Sequence, residues 1–515
     1  MANPKPDHIE FAGDYKLDNV FLHNHMGEIT DIKKVMVELN IYESIYKNSL
    51  TGNIVIADAQ NLISKLEING TERISFKLST PGSIGTRAGV DASLETGHPF
   101  HVYKITDRKQ LKPGTLLYTL HFASREFMRN LRTKVSQAYD GRPDTAVLKI
   151  LMDKNYLESK KEISFEPCGN SKKIVIPNLR PYDAINMIAK EAMPEKSNGV
   201  GYYFYETTKG IYFRSWENMV SVRGSYDRPI KQDFYYMPMN VNDKTIEDKI
   251  NHDYKSVESY KFINNFHDIA ANTLQGTYGH NVITHNLFDK SYKKTNYNYF
   301  AEYGKTKHTE VANEKSNRER YAVAAGSIVD EDDKKMSDYN ESRVSLQSTT
   351  QFLHDKNTGT SYGLDVSQEG SKLAESISQQ SQIINGTALH MVVKGQSYLE
   401  AGDLIKFNLL AVDEKNVNGE QDPQYSGKYI ITKIRHQINS TKYTMAIEAA
   451  KDSTKRGFTV NDFKPLKPLD VDCEWATVLY HDDVLNLTKK EADKIAEKLF
   501  IRVKRLDLEA NQRVS

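Results

Sequence analysis

Residues 35–58 read VMVELNIYESIYKNSLTGNIVIAD, and this stretch indicates the fold class. Its first half alternates, with Val35, Val37, Leu39 and Ile41 on one side and Met36, Glu38 and Asn40 on the other. This period of two predicts a β-strand with one buried face. A second apolar strand follows Gly52, and alternating strands with glycine-containing turns continue to Phe122. We therefore predict an antiparallel first strand set over residues 35–122.

The same pattern returns late in the chain, where residues 387–450 are predicted to form a second strand set. Glycine turns precede the apolar runs at 404–407 and 429–436, and Tyr443, Met445 and Ile447 then alternate with Thr444, Ala446 and Glu448. Two antiparallel strand sets in one chain indicate an internal duplication. Such a molecule is expected to present sheet surfaces to other chains.

Between the two strand sets the apolar period becomes helical. Ser124 is the predicted N-cap of a helix in which Phe127, Leu131 and Val135 share a face. Further helices are predicted after Pro143 and from Pro181. Later segments are predicted to be a hairpin at 201–215, a strand at 276–285, long loops through the acidic run 330–333 to 365, and a helix at 368–384.

The composition describes a polar protein without a large basic surface. Of its 515 residues, 39% are hydrophobic and 27% are charged, the mean hydropathy is −0.61, and the formal net charge is +1. A net charge near zero argues against a protein that holds nucleic acid by a basic face. Cys168 and Cys473 are too few for a disulfide framework or a repeated zinc site. We expect no signal peptide, no membrane-spanning segment and no cofactor.

No complete catalytic or metal-binding motif occurs in the sequence. His23 and His25 lie on the same side of an extended segment and could bind a metal, but no cysteine or acid has supporting spacing. His280 and His285 lie in a predicted strand, where a histidine is usually exposed or hydrogen-bonded. We therefore predict no metal site.

The hairpin at 201–215 is rich in tyrosine and is flanked by two acids. Glu206 and Glu217 could act as the carboxylate pair of a glycosidase, although solvated strand ends explain them more simply. The aromatic rings could stack on bases or sugars, but a core under the helix at Pro181 is the preferred interpretation. We therefore predict that the chain is not an enzyme.

Several motifs, in this order, resemble the baseplate hub protein of contractile-tailed, T-even-type bacteriophages. The motifs LNIYESIY at 39–46 and LTGNIVIAD at 50–58 are similar to the first barrel of that family. The motifs NLRPYDAI at 178–185, YFYE at 203–206 and GIYFRS at 210–215 resemble its inserted domain, and GDLI at 402–405 with YSGKYIITKIRH at 425–436 resembles its second barrel. The resemblance spans roughly residues 30–453.

The resemblance implies an α+β protein with two tail-tube-like antiparallel β-barrel domains and an inserted α+β domain. The sequence itself adds a polar insertion and a C-terminal helical arm, which have no counterpart in the resemblance. The expected segments are 1–124 for the first barrel, 125–225 for the inserted domain, 226–385 for the polar connecting region, 386–455 for the second barrel, and 456–515 for a linker and the arm. The arm carries both acids and bases, so docking onto a protein is preferred over binding a membrane surface.

The resemblance also implies a function. Three copies would present six barrels, which matches a sixfold tail tube above and a threefold spike below, with DNA passing through the lumen. Expected partners in the virion are a second and third copy, the tail tube protein, the central spike protein and baseplate wedge proteins, the last through the C-terminal arm, without stable membrane binding. The predicted interface residues are Tyr42, Tyr46, Lys47, Tyr425, Ser426, Lys428, Lys494 and Leu499.

Two alternatives remain open from the sequence. One is a tail-associated carbohydrate-binding or cell-wall-degrading protein. The other is the related spike-tip protein of contractile secretion machines, although residues 461–515 are too short and too helical to form its β-helical spike.

Overall fold

The computed structural model describes residues 11–80, 89–196, 201–221, 228–236, 246–264, 269–286, 290, 292–310, 335–349, 373–377, 386–411, 421–422 and 424–453. The N-terminal elements are β1 Lys16–Leu17, β2 Phe21–His23, β3 Ile29–Asp31, β4 Met36–Ser44, β5 Thr51–Asp58, α1 Leu62–Lys65, β6 Arg73–Ser75, β7 Lys77–Ser79, β8 Gly89–Asp91, β9 Phe100–Lys112 and β10 Thr115–Ala123.

The middle segment contains α2 Arg125–Arg132, β11 Val135–Gly141, α3 Pro143–Met152, β12 Ile163–Phe165, β13 Lys172–Leu179, α4 Pro181–Glu191, β14 Tyr202–Glu206, β15 Ile211–Ser215 and α5 Trp216–Val220. The later elements are β16 Ile230–Tyr236, α6 Ile246–Lys255, β17 Val257–Asn264, α7 Ile269–Leu274, β18 Gly279–Asn286, β19 Tyr292–Asn298, α8 Tyr299–Glu302, β20 Val344–Thr349, β21 Thr387–Lys394, β22 Leu404–Leu409, β23 Gly427–Asn439 and β24 Tyr443–Lys451. The fold is mostly antiparallel β-sheet with a few helices, as the sequence predicts.

Both strand sets belong to one sheet. Its strand order is β17-β21-β24-β23-β4-β5-β10-β9-β6-β2-β3, and β22 pairs with both β23 and β16. Strands β16 and β17 come from the polar connecting region, and the sequence periodicity did not assign them to the second strand set. A bridge between Tyr235 and Ser256 brings the end of β16 next to the start of β17. The run β16-β22-β23-β24-β21-β17 therefore returns to its starting point.

The hairpins β9–β10 and β23–β24 repeat each other in strand length and, up to Thr106 of β9 and Arg435 of β23, in register. Each pairs a strand of 13 residues with a strand of 9 residues. Each also has a β-bulge at the same step, with Tyr103 as the extra residue in β9 and Thr432 as the extra residue in β23. The flanking pairs are Phe122–Val102 and His121–Lys104 in the first hairpin, and Ala449–Ile431 and Glu448–Lys433 in the second.

The neighbouring strands continue this repeat. Opposite Phe122 lies Gly52 of β5, and opposite the equivalent Ala449 lies Leu389 of β21. Next in the sheet, β4 pairs with β5 and β17 pairs with β21, and each of these two pairings has an irregularity after its first residue pair. Those pairs are Met36–Ile56 then Glu38–Val55 in the first set, and Val257–Val393 then Ser259–Val392 in the second. The equivalence therefore extends over four strands of each set.

The apolar faces of the two strand sets form one continuous buried cluster. Leu39, Ile41 and Ile54 are fully buried in the first set, and Met391 and Ile447 are fully buried in the second. The prediction that Val37 shares the buried face is wrong, since its side chain is 44% exposed. The irregularity between Met36 and Glu38 breaks the alternation at that point.

The middle segment has a buried cluster of its own, to which β11, β13, α3 and α4 contribute. The helices predicted after Pro143 and from Pro181 and the hairpin predicted at 201–215 are present. Ser124 does not cap α2, because its hydroxyl donates to the Glu206 carboxylate instead. The predicted apolar face of α2 is also wrong, since Leu131 is 46% exposed and Val135 begins β11.

Residues from the polar connecting region also form a small sheet in the order β19-β18-β20. The strand predicted at 276–285 corresponds to β18, whereas β20 replaces part of the loop predicted up to 365. His308 connects the segment after α8 to the end of β24, since its Nδ1 lies 2.9 Å from Oδ2 of Asp452 and its ring stacks on Tyr303.

Several predicted features fall outside the described residues. Of the helix predicted at 368–384, residues 373–377 are described and are helical. The acidic run 330–333, the linker and the arm at 456–515 lie outside the described part. Among the described helices, none has the length and apolar character needed to cross a bilayer.

Gly52 is expected to tolerate no side chain. A Cβ atom at this position would lie 2.3 Å from the Phe122 ring and 2.4 Å from the Asn40 carbonyl oxygen. We expect Gly52→Ala to lower the free energy of unfolding by about 1–3 kcal/mol, because the strand backbone has to move. Ala57→Ser on the same strand, at a half-buried position, is the control and should change it by less than about 0.5 kcal/mol. Equal urea midpoints for the two variants would contradict this packing.

Candidate functional site: the junction between the strand sets

Strand β23 joins the two strand sets. One edge pairs with β24, whereas the other edge pairs first with β22 and then with β4. The β22 part is 427–430, and the β4 part begins with Lys433 opposite Ser44 and ends with Asn439 opposite Glu38. A single long strand is therefore shared by both sets.

Acids and bases are paired across strands on the face of the sheet opposite the core. The Arg435 guanidinium donates to Glu38 Oε1 and to Asn40 Oδ1, both at 2.9 Å. Lys433 Nζ donates to Glu448 at 2.6 Å, and Lys394 donates to Glu258. These cations are thus neutralised by carboxylates of neighbouring strands.

On the core side of the junction, Glu43 of β4 is fully buried. Its carboxylate accepts the backbone N–H groups of Thr208 at 2.8 Å and Ala401 at 2.9 Å, and it lies 3.6 Å from Nε2 of His436. Burial alone would raise the pKa of Glu43, but the neighbouring His436 and these N–H donors outweigh it and hold the pKa below its usual value. One carboxylate therefore connects the first set, the second set and the middle segment.

A second buried carboxylate attaches the middle segment to the first strand set. Glu206, at the end of β14, accepts the Leu50 N–H at 2.9 Å and the Ser124 hydroxyl at 2.7 Å, and it pairs with Lys161. Burial would lower the pKa of Lys161, but Glu206 and Glu126 raise it overall. The lysine is therefore held in its charged form between two carboxylates.

Two further buried acids, Glu400 and Asp403, lie in the turn before β22. Glu400 accepts the hydroxyls of Thr207 at 2.6 Å and Tyr212 at 2.7 Å. Burial, and then the adjacent Glu400, raises the pKa of Asp403 to about 7. This turn also packs on the middle segment, since Ala401 belongs to the cluster that contains Tyr205 and Tyr212.

The tyrosine-rich hairpin is structural on both faces. Phe204 and Phe213 belong to the core of the middle segment, and Tyr205 and Tyr212 pack on the second strand set. Glu206 is 1% exposed and Glu217 is 2% exposed, so the interpretation of these acids as solvated strand ends is wrong. Their described hydrogen bonds go to different residues, since Glu206 accepts from Leu50 and Ser124 and Glu217 accepts the N–H of Lys307.

The histidines are placed in separate settings. His23 lies 2.7 Å from the Ser75 hydroxyl, and His25 lies on an exposed turn near Glu67. His280 is fully buried and contacts the Gly276 carbonyl at 2.7 Å, so of the two settings expected for it, exposed or hydrogen-bonded, it has the second. Within the described ranges, no group of three or more His, Cys, Asp or Glu side chains could hold a metal ion.

The predicted interface residues are distributed around the junction. Tyr46 is 45% exposed with its ring near Tyr203, Lys47 is exposed, and Tyr42 is half-buried. Ser426 is fully buried and its hydroxyl bonds to the Leu409 backbone. Tyr425 and Lys428 are half-buried. Lys494 and Leu499 lie outside the described residues.

Sequence reasoning did not identify the buried acids of this junction. One signal was available for Glu43, because it follows Leu39 and Ile41 on the alternating apolar side of β4. An acid on the buried side of a strand has to find a partner. No comparable signal marks Glu400 or Lys161, whose partners are distant in sequence.

Comparison with known proteins finds similarity only in structure. No family model and no curated protein matches the sequence. The structural neighbours include phage tail proteins and, among others, a component of the type VI secretion system from E. coli (9% identity, TM-score 0.36, 82% of this chain and 75% of that chain). They include the 43 kDa tail protein of prophage MuSo2 from Shewanella oneidensis (9% identity, TM-score 0.46, 85% of this chain and 99% of that chain), a tail protein from Neisseria meningitidis MC58 (9%, 0.44, 85% and 97%) and prophage tail protein gp18 from Listeria monocytogenes EGD-e (7%, 0.41, 85% and 96%). At these TM-scores the likeness establishes no function, which has to follow from the chain's own geometry.

The buried Asp403 is expected to make stability fall with rising pH. Its pKa is higher in the folded chain than in the unfolded one, so the folded state keeps a proton that the unfolded state loses between about pH 4 and about pH 7. Asp403→Asn removes this term, so the variant should gain stability relative to the wild type as pH rises, by a few kcal/mol at about 1.4 kcal/mol per pKa unit.

The measurement is chemical denaturation of both proteins from about pH 4 to about pH 8. Thr441→Ser, at an exposed position without a titratable side chain, is the control and should give a difference that does not change with pH. A pH-independent difference for Asp403→Asn as well would show that Asp403 titrates normally.

Proposed function

We propose that this chain is the structural baseplate hub of a contractile phage tail. In this role three copies form a pseudo-sixfold ring that joins the sixfold tail tube to the threefold central spike and lines the DNA channel. The observation that carries the proposal is the repeat of one strand register in two sets that lie side by side in one sheet. Catalysis does not require such a repeat. A trimer that contacts a sixfold ring does require one, because each of its three chains has to present two equivalent surfaces.

In this proposal each strand set is a tail-tube-like barrel. The second set supports this reading because its strands return to their start at the bridge between Tyr235 and Ser256. The strand pairing from Lys433 to Asn439 with β4 fixes the two barrels side by side, so each chain supplies one third of the ring. Buried Glu43 and Glu206 attach the inserted α+β domain to both barrels, which keeps their relative orientation constant.

The face of the sheet opposite the core is the proposed channel wall. Its cations are paired with carboxylates, as in Arg435 with Glu38 and Lys433 with Glu448. Paired charges leave little net positive potential for phosphate groups, so duplex DNA can pass without being held. The near-neutral net charge of the chain agrees with such a wall.

The partners in this proposal are the tail tube protein above and the central spike protein below. The C-terminal arm at 456–515 would brace baseplate wedge proteins. The chain would act in the virion after assembly in the host cytoplasm, without enzymatic activity of its own.

We expect the purified full-length chain to be a trimer, because the proposed barrels bury their flanks only in a ring. Light scattering and native mass spectrometry should give the mass of three chains, and electron micrographs should show six lobes around a central opening. A monodisperse single chain at micromolar concentration would refute the ring.

Removing the carboxylates of the wall is expected to create DNA binding. In Glu38→Gln/Glu448→Gln, Arg435 and Lys433 lose their carboxylate partners, so affinity for a short linear duplex should rise several-fold at low salt and fall again as salt increases. Fluorescence anisotropy measures this, and a covalently closed circular duplex should not bind, since it cannot enter a ring.

Glu95→Gln/Asp91→Asn is the matched control, because it removes both carboxylate partners of Lys77 on another surface. This variant should bind linear and circular duplexes with equal affinity. Equal binding of both DNA forms by the double variant would place these residues outside a channel.

A further inference from the structure

Among the residues that the structure describes, strand β9 has no strand partner along most of one edge. Its first residues pair with β6, through Phe100 and His101. Beyond them, residues 104–111 pair with β10 on one side, and no described residue pairs with their other side. Strand β17 is in the same position at the other end of the run, where β21 covers one edge and the described residues leave residues 259–264 open on the other.

Because the two strand sets repeat each other, the pairing of β23 with β4 can be used to derive a pairing for these two edges. In the second set, the part of β23 that is equivalent to residues 104–110 pairs with β4. Because β17 is the equivalent of β4, the missing partner of β9 is the equivalent of a strand that the same chain already contains. Within one chain, however, β9 and β17 lie at different positions of the strand order, separated by six strands.

The two open edges also carry compensating irregularities. Between Thr106 and Lys109, β9 has one residue more than the matching part of β23, and Asp107 there has a φ of 57°. Between Phe262 and Asn264, β17 has one residue more than the matching part of β4.

When β9 and β17 are paired in the register that β23 has with β4, these two extra residues lie opposite each other. The pairing then stays in step before and after them. Two unrelated edges would have no reason to share an insertion at the same step, so this match points to strands that pair.

We propose that β9 of one chain pairs antiparallel with β17 of a second copy, in the register of β23 with β4. Thr106 then lies opposite Asn264 of the partner subunit, Lys109 opposite Lys261 of the partner subunit, and Leu111 opposite Ser259 of the partner subunit. The inference rests on the proposed hub function only for the number of copies. With three, the strands from β17 to β9 of each chain close into one sheet of about 24 strands, a size that leaves an open lumen, since barrels of about 16 strands already do.

One consequence concerns charge. The register places Lys109 opposite Lys261 of the partner subunit, and like charges directly opposite each other weaken a strand pair. Because salt screens this repulsion, we expect the wild-type chain to form trimers less readily at low salt. Lys261→Glu replaces the repulsion by an attraction, so trimers of this variant are expected at lower protein concentration than trimers of the wild type.

Disulfide trapping tests the register in the full-length chain. In a Cys168→Ala/Cys473→Ser background, Lys109→Cys/Lys261→Cys should form covalent species of two and three chains, and none larger, under mild oxidation. The shifted pair Lys109→Cys/Ser259→Cys should form few. The template pair Asn40→Cys/Gln437→Cys should cross-link within one chain, which shows that oxidation and the expected geometry work.

The outcomes separate this inference from the proposed function. A three-chain mass with efficient trapping of the template pair, but not of the Lys109–Lys261 pair, overturns the register and leaves the hub intact. A single-chain mass overturns both.

Hydrogen exchange on the wild-type chain provides a test without substitutions. Amides of residues 106–111 and 259–264 should be protected in the trimer and should become exposed on dilution to monomers. Fast exchange of either edge in the trimer would also refute the pairing.

Discussion

The arrangement of this protein depends on the backbone hydrogen bonds along one edge of β23. The first part of that edge pairs with β22 of its own strand set, and the later part pairs with β4 of the other. The β-bulge at Thr432 separates these two parts, and a bulge increases local twist and bends the strand that contains it. One strand can therefore leave its own set and complete the next one.

Buried carboxylates hold the middle segment against this shared strand. Glu43 accepts N–H groups from Thr208 and Ala401, which belong to different parts of the chain, and Glu206 accepts from Leu50. A buried carboxylate without such donors would carry a large desolvation cost, so each contact specifies one relative placement of the segments it joins. Apolar packing alone, as between Tyr205 and Leu404, is less directional.

Much of the fold could be predicted because it is local. The alternation of Leu39 and Ile41 predicts β4, the proline at 181 with Ile185 and Ile188 predicts α4, and the tyrosine-rich hairpin has the predicted position. Errors arose where local preference was overruled by distant partners. Ser124 donates to Glu206 instead of capping its helix, and Glu206 is buried although acids at strand ends are usually solvated.

The sequence by itself determined that this chain has two strand sets with an α+β segment between them, because strand and helix periods and turn residues are properties of neighbouring residues. Only the tertiary structure decided that β16 and β17 belong to the second set, that β23 pairs with β4, and which acids lie together at the junction. Those pairings join residues that are up to hundreds of positions apart. A strand edge can hydrogen-bond to any other strand, so its choice of partner depends on the packed fold and not on its own residues.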